Sequence, residues 1–336
     1  MSIRSRRAIP GIALLCAAGM LAWAGSASAA DGTALIQTAQ KQFQQGNYTA
    51  AIGSLRTAIA QNANSAEAYY WMGRNYYELR DFDNAITQAE KSVQLDPKNS
   101  EYHQWLGRAY GEKADRERSF SLAKKVKKEF QEAVRLDGRN LQARRDLEEY
   151  CIDAPWIAGG SKDEAKAQVE AIAAVDPIEG HLARATFDQS ALKKMDLAEN
   201  EYREVLNAKP NRFEPYAEVI NFFGAIKKLP EMTQAIQAAA AVAPNDPRLL
   251  YYRGAEKVLA GQEYAHAEEY LKAYLANTPE RSEWPSHAGA RDWLGRLYEA
   301  EGKRTEAAEQ YRAALQIDPS RKETKTRLER LEKSSR

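Results

Sequence analysis

Histidines His103, His181, His266 and His287 are the residues best suited to acid–base or metal chemistry in this chain, and their spacing supports neither. No two lie three to five residues apart, so none can form a metal pair on one helical turn. His266 could share a helix face with Glu269, but two ligands are too few, and a surface histidine is the simpler reading. Gly159-Gly160-Ser161 lacks the lysine and spacing of a phosphate loop, and no strand pattern precedes it. No nucleophile elbow of the G-x-S-x-G type is found. The abundant carboxylates read as solvated partners of Lys and Arg at i,i+4. The densest basic run, Lys124-Lys125-Val126-Lys127-Lys128, is diluted by Glu117, Glu129 and Glu132 and reads as a solvated helix face. No enzyme activity, cofactor or metal is expected.

The two cysteines, Cys16 and Cys151, would be separated by processing. Arg4, Arg6 and Arg7 form a basic start, Ile12 to Trp23 a short apolar run, and Ala27-Ser28-Ala29 a small-residue cleavage site. The run is about 12 residues, short of the roughly 20 that a membrane-spanning helix needs. Residues 1–30 are therefore expected to be a signal peptide, with no integral membrane segment after cleavage and a periplasmic or secreted product. An uncleaved anchor is the minority reading. Leu15 before Cys16 argues against a lipid anchor. Ser5-Arg6-Arg7-Ala8-Ile9 partly resembles a twin-arginine signal, and an ordinary basic leader is the simpler reading. Cys151 then stands alone on an apolar pattern with Leu147, so packing rather than a disulfide must hold the fold. The chain total is +1, and the three leader arginines are the only charges in residues 1–30, so the remainder is close to neutral. That balance gives no nucleic-acid footprint.

The elements that must position any site are helix pairs. Residues 66–99 show the unit: Tyr69, Met72, Gly73 and Tyr76 on one side of a first helical pattern, Ala85, Ile86, Ala89 and Val93 on one side of a second. Asp81 lies between them and Asp96-Pro97 ends the unit. Trp71 and Trp105, Gly73 and Gly107, and Ala51 and Ala85 are each 34 apart. The unit ends Asp96-Pro97, Asp137-Gly138, Asp176-Pro177, Lys209-Pro210, Ala243-Pro244, Thr278-Pro279 and Asp318-Pro319 follow at intervals of 41, 39, 33, 34, 35 and 40. The last unit is the clearest, with Trp293-Leu294-Gly295, Tyr298, Gly302, Ala307, Tyr311 and Ala314-Leu315.

On these residues the chain resembles the tetratricopeptide repeat family. The resemblance implies an all-α, helix-pair solenoid, a right-handed superhelix of about eight units plus a C-terminal capping helix. The units are expected at about 32–65, 66–99, 100–140, 141–178, 179–212, 213–246, 247–280 and 288–320, with a capping helix and tail over 321–336. Three segments break the period. GEKADRERSFSLAKK in unit three could lengthen both helices or protrude. CIDAPWIAGGSKDEA in unit four holds Pro155, Gly159 and Gly160, then a restart at Ser161 and Glu164; Trp156 and Ile157 are expected to tuck this loop onto the solenoid. RSEWPSH precedes the eighth unit. The lengthened third unit and its following loop also resemble a subset of exported bacterial repeat proteins.

In the family the first helix of each pair lines the concave surface. Carried over by position, the ligand-facing residues are Tyr70, Arg74 and Tyr77 in unit two, Gln104 and Arg108 in unit three, and Asp292, Arg296 and Glu299 in unit eight. Arg74 and Arg108 are 34 apart and should lie side by side, a pair suited to a carboxylate such as a peptide C-terminus. This departs from the lysine and asparagine clamp of chaperone-binding members. The plainer alternative pairs these arginines with Glu67, Glu78 and Glu101. The expected function is an exported scaffold that binds a protein or peptide through its concave face, in cell-envelope assembly. The rivals are a self-associating structural protein and an enzyme accessory with a site in units three to five.

Overall fold

Short polar side chains start many of the helices. Ser65 accepts a hydrogen bond from the Ala68 amide, Asp81 from Asn84, Asn99 from Glu101 and Tyr102, and Ser161 from Glu164. Each cap satisfies amides that helix geometry leaves without an intrahelical partner, and is worth about 1 kcal/mol. The Ser161 amide itself donates to the Cys151 carbonyl rather than to the Glu164 side chain.

The computed structural model of the chain describes residues 32–333. The signal read over 1–30 and the tail end at 334–336 lie outside the described residues. Helix α1 spans 32–44 and is followed by α2 (Tyr48–Gln61), α3 (Ala66–Glu78), α4 (Phe82–Leu95), α5 (Ser100–Glu117), α6 (Phe120–Leu136), α7 (Leu141–Asp153) and α8 (Lys162–Ala173). Then come α9 (Pro177–Thr186), α10 (Met195–Ala208), α11 (Phe213–Ala225), α12 (Leu229–Val242), α13 (Arg248–Ala260), α14 (Tyr264–Asn277), α15 (His287–Ala300), α16 (Arg304–Ile317) and α17 (Lys322–Lys333). No strand occurs among the described residues, and no helix there is long and apolar enough to cross a membrane.

The helices pair in order, α1 with α2 through α15 with α16. Several pairs turn through one residue with left-handed backbone: Gly46 (φ 74°), Arg80 (59°), Lys227 (57°), Gly261 (68°) and Gly302 (77°). Within a pair the approach is close. A Cβ at Gly73 would sit 3.2 Å from the Ala85 carbonyl oxygen, and one at Gly107 would sit 2.5 Å from the Phe130 ring. The core is correspondingly a string of clusters, from Ile36–Met72 through Ala85–Ala165 and Leu182–Ala255 to Ala267–Leu331. This is the helix-pair solenoid with nearest-neighbour burial that the period predicts. Helix α17 closes the end: Leu331 is buried, and the Thr324 hydroxyl donates to Asp292 at 2.7 Å.

The irregular segments differ in outcome. The unit-three excess lengthens both helices, α5 to 18 residues and α6 to 17. Unit five shortens its first helix to 10 residues and ends it in a π-helical turn, Phe187–Ala191. In unit four, Trp156 and Ile157 do not tuck in; they are 85% and 52% exposed. The loop is held instead by small and backbone groups. Ala158 is buried, its carbonyl accepts from the Tyr150 hydroxyl at 2.7 Å, and Lys127 reaches the Gly159 carbonyl at 2.7 Å. Cys151 is a buried free thiol whose pKa burial pushes up to about 12.

The first helices touch one another in a row, α3 on α5, α5 on α7, and so on to α13 on α15. Burial is not confined to neighbours, however. The segment between α14 and α15 crosses to the other end of the solenoid. The Tyr48 hydroxyl donates to the Glu280 carbonyl at 2.5 Å, Arg281 donates to the Gln44 carbonyl, and the Ser282 amide and hydroxyl donate to Glu78 at 2.8 and 2.9 Å. Gly46 packs so closely on Pro279 that a Cβ there would meet the proline Cβ at 2.4 Å.

Candidate functional site

Trp105, on α5, is buried where the first helices of units two and three meet. The Arg108 guanidinium lies 4.8 Å from its ring centroid and that of Arg74 lies 4.1 Å from it, so the two arginines 34 apart in sequence share one indole. Repeat geometry places them there: the same position of successive first helices recurs on the same surface.

The two guanidinium groups differ in their partners. Arg108 holds Asp146 of α7 with Nε and Nη2 at 2.7 and 3.0 Å, and its Nη1 donates to Glu283 at 3.0 Å. Burial works against its charge, but these carboxylates outweigh it and raise its pKa. Arg74 is enclosed by Phe43, Trp71 and Trp105, and donates to the Tyr70 hydroxyl at 3.2 Å. It makes no ion pair among the described residues, and its buried Nε has no partner. Neither arginine pairs directly with Glu67, Glu78 or Glu101, so the plainer alternative is corrected; only the Tyr70 hydroxyl links Arg74 to Glu101.

The other predicted positions are committed to structure. Tyr70 is buried, stacks on Tyr102 at 5.0 Å and donates to Glu101; burial raises its pKa. Tyr77 meets Trp105 edge-on at 5.5 Å and donates to Glu112 at 3.2 Å. Gln104 is buried between Asp146 (2.8 Å) and Asn140. In unit eight, Asp292 is buried and pairs with Arg296 at 2.8 Å, while Glu299 receives the Tyr311 hydroxyl.

Two clefts flank the Arg108–Glu283 contact. One, of about 690 Å³, is bordered by Arg74, Lys98, Glu101, Trp105 and Asn140. The other, of about 600 Å³, is where all three period-breaking segments converge. Gly111 to Phe120 come from unit three, Ala154, Pro155 and Ala158 from unit four, and Ser282 and Glu283 from the α14–α15 segment. Sequence reasoning missed Asp146 and Glu283, named Glu78 only as a partner of the arginines, and saw Trp105 only as a repeat marker. Glu283 carried one readable signal: an acidic residue within a polar insertion, against an arginine pair expected on the concave face.

A buried charged cluster lies behind this surface. Arg145 of α7 reaches Glu218 at 2.9 Å, and its Nη1 is unpartnered. Glu148 is fully buried with both carboxyl oxygens unpartnered. Burial pushes its pKa up to about 8, with Arg145 opposing. The histidines serve their neighbours: His103 bonds Glu129 at 2.6 Å, His181 bonds Glu201 at 2.7 Å, and exposed His266 contacts Glu263 at 3.2 Å.

Residues 42–110 match one tetratricopeptide repeat model and residues 255–322 another. No curated protein matches the chain. Among solved structures, a thermophilic tetratricopeptide-repeat protein of Thermus thermophilus is similar at 19% identity and TM-score 0.47, over 57% of this chain and 98% of that one. A tetratricopeptide repeat protein from Parabacteroides merdae is similar at 12% identity and TM-score 0.43, over 90% and 98%. A chain of the APC/C hetero-tetramer Cut9–Hcn1 is similar at 12% identity and TM-score 0.49, over 88% and 55%.

Proposed function

From the premise that this chain carries tetratricopeptide repeats, we propose that it is an exported binding scaffold whose concave face recognises a protein or peptide, and that it serves cell-envelope assembly. The observation that carries the reading is the Arg74–Trp105–Arg108 stack. Planar guanidinium groups on an aromatic face are suited to a carboxylate, and Arg108 already holds the carboxylate of Glu283. Arg74, without an acidic partner, offers a second position. The export half of the proposal rests on the basic, apolar and small-residue order of residues 1–30. Chemistry is not part of the reading: the residue types that would perform it are dispersed, and each histidine is engaged by a neighbour.

The test is crosslinking capture from envelope extract by the mature chain and by an Arg74→Ala/Arg108→Ala variant of matched helicity. Loss of specific partners from the variant supports the reading, and an identical set of partners removes the site. A second reading, self-association, is favoured by the exposed Trp156, Ile157 and Phe120. Light scattering of the mature chain separates it: a monomer excludes that reading.

A further inference from the structure

The first helices of units one to three already carry a peptide, the chain's own segment between α14 and α15, which turns at residues 281–284 with the Trp284 amide donating to the Arg281 carbonyl at 3.2 Å. Its ends are pinned within units seven and eight. The Tyr274 hydroxyl donates to the Pro285 carbonyl, and His287 Nε2 lies 2.9 Å from the Thr278 carbonyl. Between these pins, three consecutive side chains each meet a complementary group on a different helix. The Arg281 guanidinium donates to the Gln44 carbonyl at the C-terminal end of α1, where the helix dipole favours a cation. The Ser282 hydroxyl and amide donate to Glu78 at the end of α3. The Glu283 carboxylate accepts from Arg108 on α5.

The Glu283 contact is the weakest of the three. The Glu283 side chain is 57% exposed, and exposed ion pairs are worth about 0–1 kcal/mol. The segment is tethered, at an effective concentration on the order of millimolar, and its start is also held by Pro279 packed on Gly46 and by the Tyr48 hydroxyl on the Glu280 carbonyl. It is also an incomplete occupant, since Arg74, on the same indole as Arg108, receives no carboxylate.

We infer that Arg281-Ser282-Glu283 is an internal surrogate for the partner: the groove takes a peptide turn that presents a cation, a hydroxyl and a carboxylate in that order, and the partner binds by displacing this segment. A partner with a further carboxylate gains Arg74, which the surrogate leaves open, and so can win against a tethered competitor. The inference rests on the reading of the concave face as the recognition surface. It adds the chemistry of the ligand and the contact that must open.

The test uses the mature chain and its Arg281→Ala/Ser282→Ala/Glu283→Ala variant, which leaves every groove residue and both pins intact. The probe is a fluorescent synthetic peptide of residues 279–286, followed by anisotropy, with circular dichroism to match the folds. The expected result is at least tenfold tighter binding to the variant than to the parent chain. That binding is lost when the peptide carries glutamine at the position of Glu283, or when Arg108→Ala is added to the variant. Equal affinity for parent and variant, or no binding to the variant at millimolar peptide, overturns the inference. If the peptide fails while partner capture still depends on Arg74 and Arg108, the surrogate falls and the concave-face reading stands. If capture is indifferent to both arginines, the reading itself falls.

Discussion

Arg108 Nη1 donates to Glu283 Oε1 at 3.0 Å across 175 residues of sequence. A solenoid that only stacks neighbours makes no such contact. Here the accumulated curvature brings the segment after the seventh pair onto the inner surface of the first three, and the acid it delivers meets the arginine that the repeat register places there.

The two carboxylates on Arg108 should differ sharply in worth. Asp146 receives two hydrogen bonds from Arg108 and one from buried Gln104, and its side chain is 10% exposed. Asp146→Ala strips a largely buried guanidinium of its main partner and is expected to destabilise by about 3 kcal/mol. Glu283→Ala removes an exposed partner and is expected to change stability by less than about 1 kcal/mol. Urea unfolding of both variants checks this. Equal losses would mean that the α14–α15 segment is an integral part of the fold rather than a displaceable one.

Glu148 should give the fold a pH dependence. Its pKa rises on folding from the usual 4.5 to about 8, chiefly through burial. The folded chain then holds a proton that the unfolded chain has released, so stability falls as pH rises between those two values and is flat above them. The slope from one such group approaches about 1.4 kcal/mol per pH unit. Glu148→Gln should remove that component of the pH profile, measured as unfolding free energy from pH 4.5 to 8.5. An unchanged difference between the ends of that range would show that Glu148 is ionised in the fold.

Two glycine replacements should move stability in opposite directions. Gly107→Ala drives a methyl to 2.5 Å from the Phe130 ring and is expected to destabilise by about 1–3 kcal/mol. Gly53→Ala, in α2 with nothing within 4 Å of the new carbon, is expected to stabilise by about 0.5–1 kcal/mol. Thermal unfolding of the pair reads both signs, and a loss on both would contradict the helix-pair packing described.

The helix pairs were legible because their determinants are local and recur. Gly73 against Ala85, Asp81 as a cap and Trp105-Leu106-Gly107 as a second copy all act within one unit. The side-by-side placement of Arg74 and Arg108 followed from the same period; the indole they share did not. What the period does not carry is the small rotation from unit to unit, and that rotation decides whether residue 283 reaches residue 108. The Trp156-Ile157 loop failed for another reason. Apolar character suggested burial, whereas Lys127, Tyr150 and Ala158 anchor the backbone and leave both large side chains outside. Glu148 stands beside Leu147 where Gly107 follows Leu106, so an acid in the close-approach position was visible in the sequence. Its complete burial was not.

The central claim is that the α14–α15 segment lies across the inner surface of the first units. It is tested most directly by electron-resonance distance measurement on residues 31–336 labelled at Gln45→Cys and Ser282→Cys, with Cys151→Ala. The account predicts a single narrow distribution at short distance, which broadens and lengthens when Arg281→Ala and Glu283→Ala are added. A long or broad distribution in the otherwise unaltered chain would mean that the two ends of the solenoid do not meet.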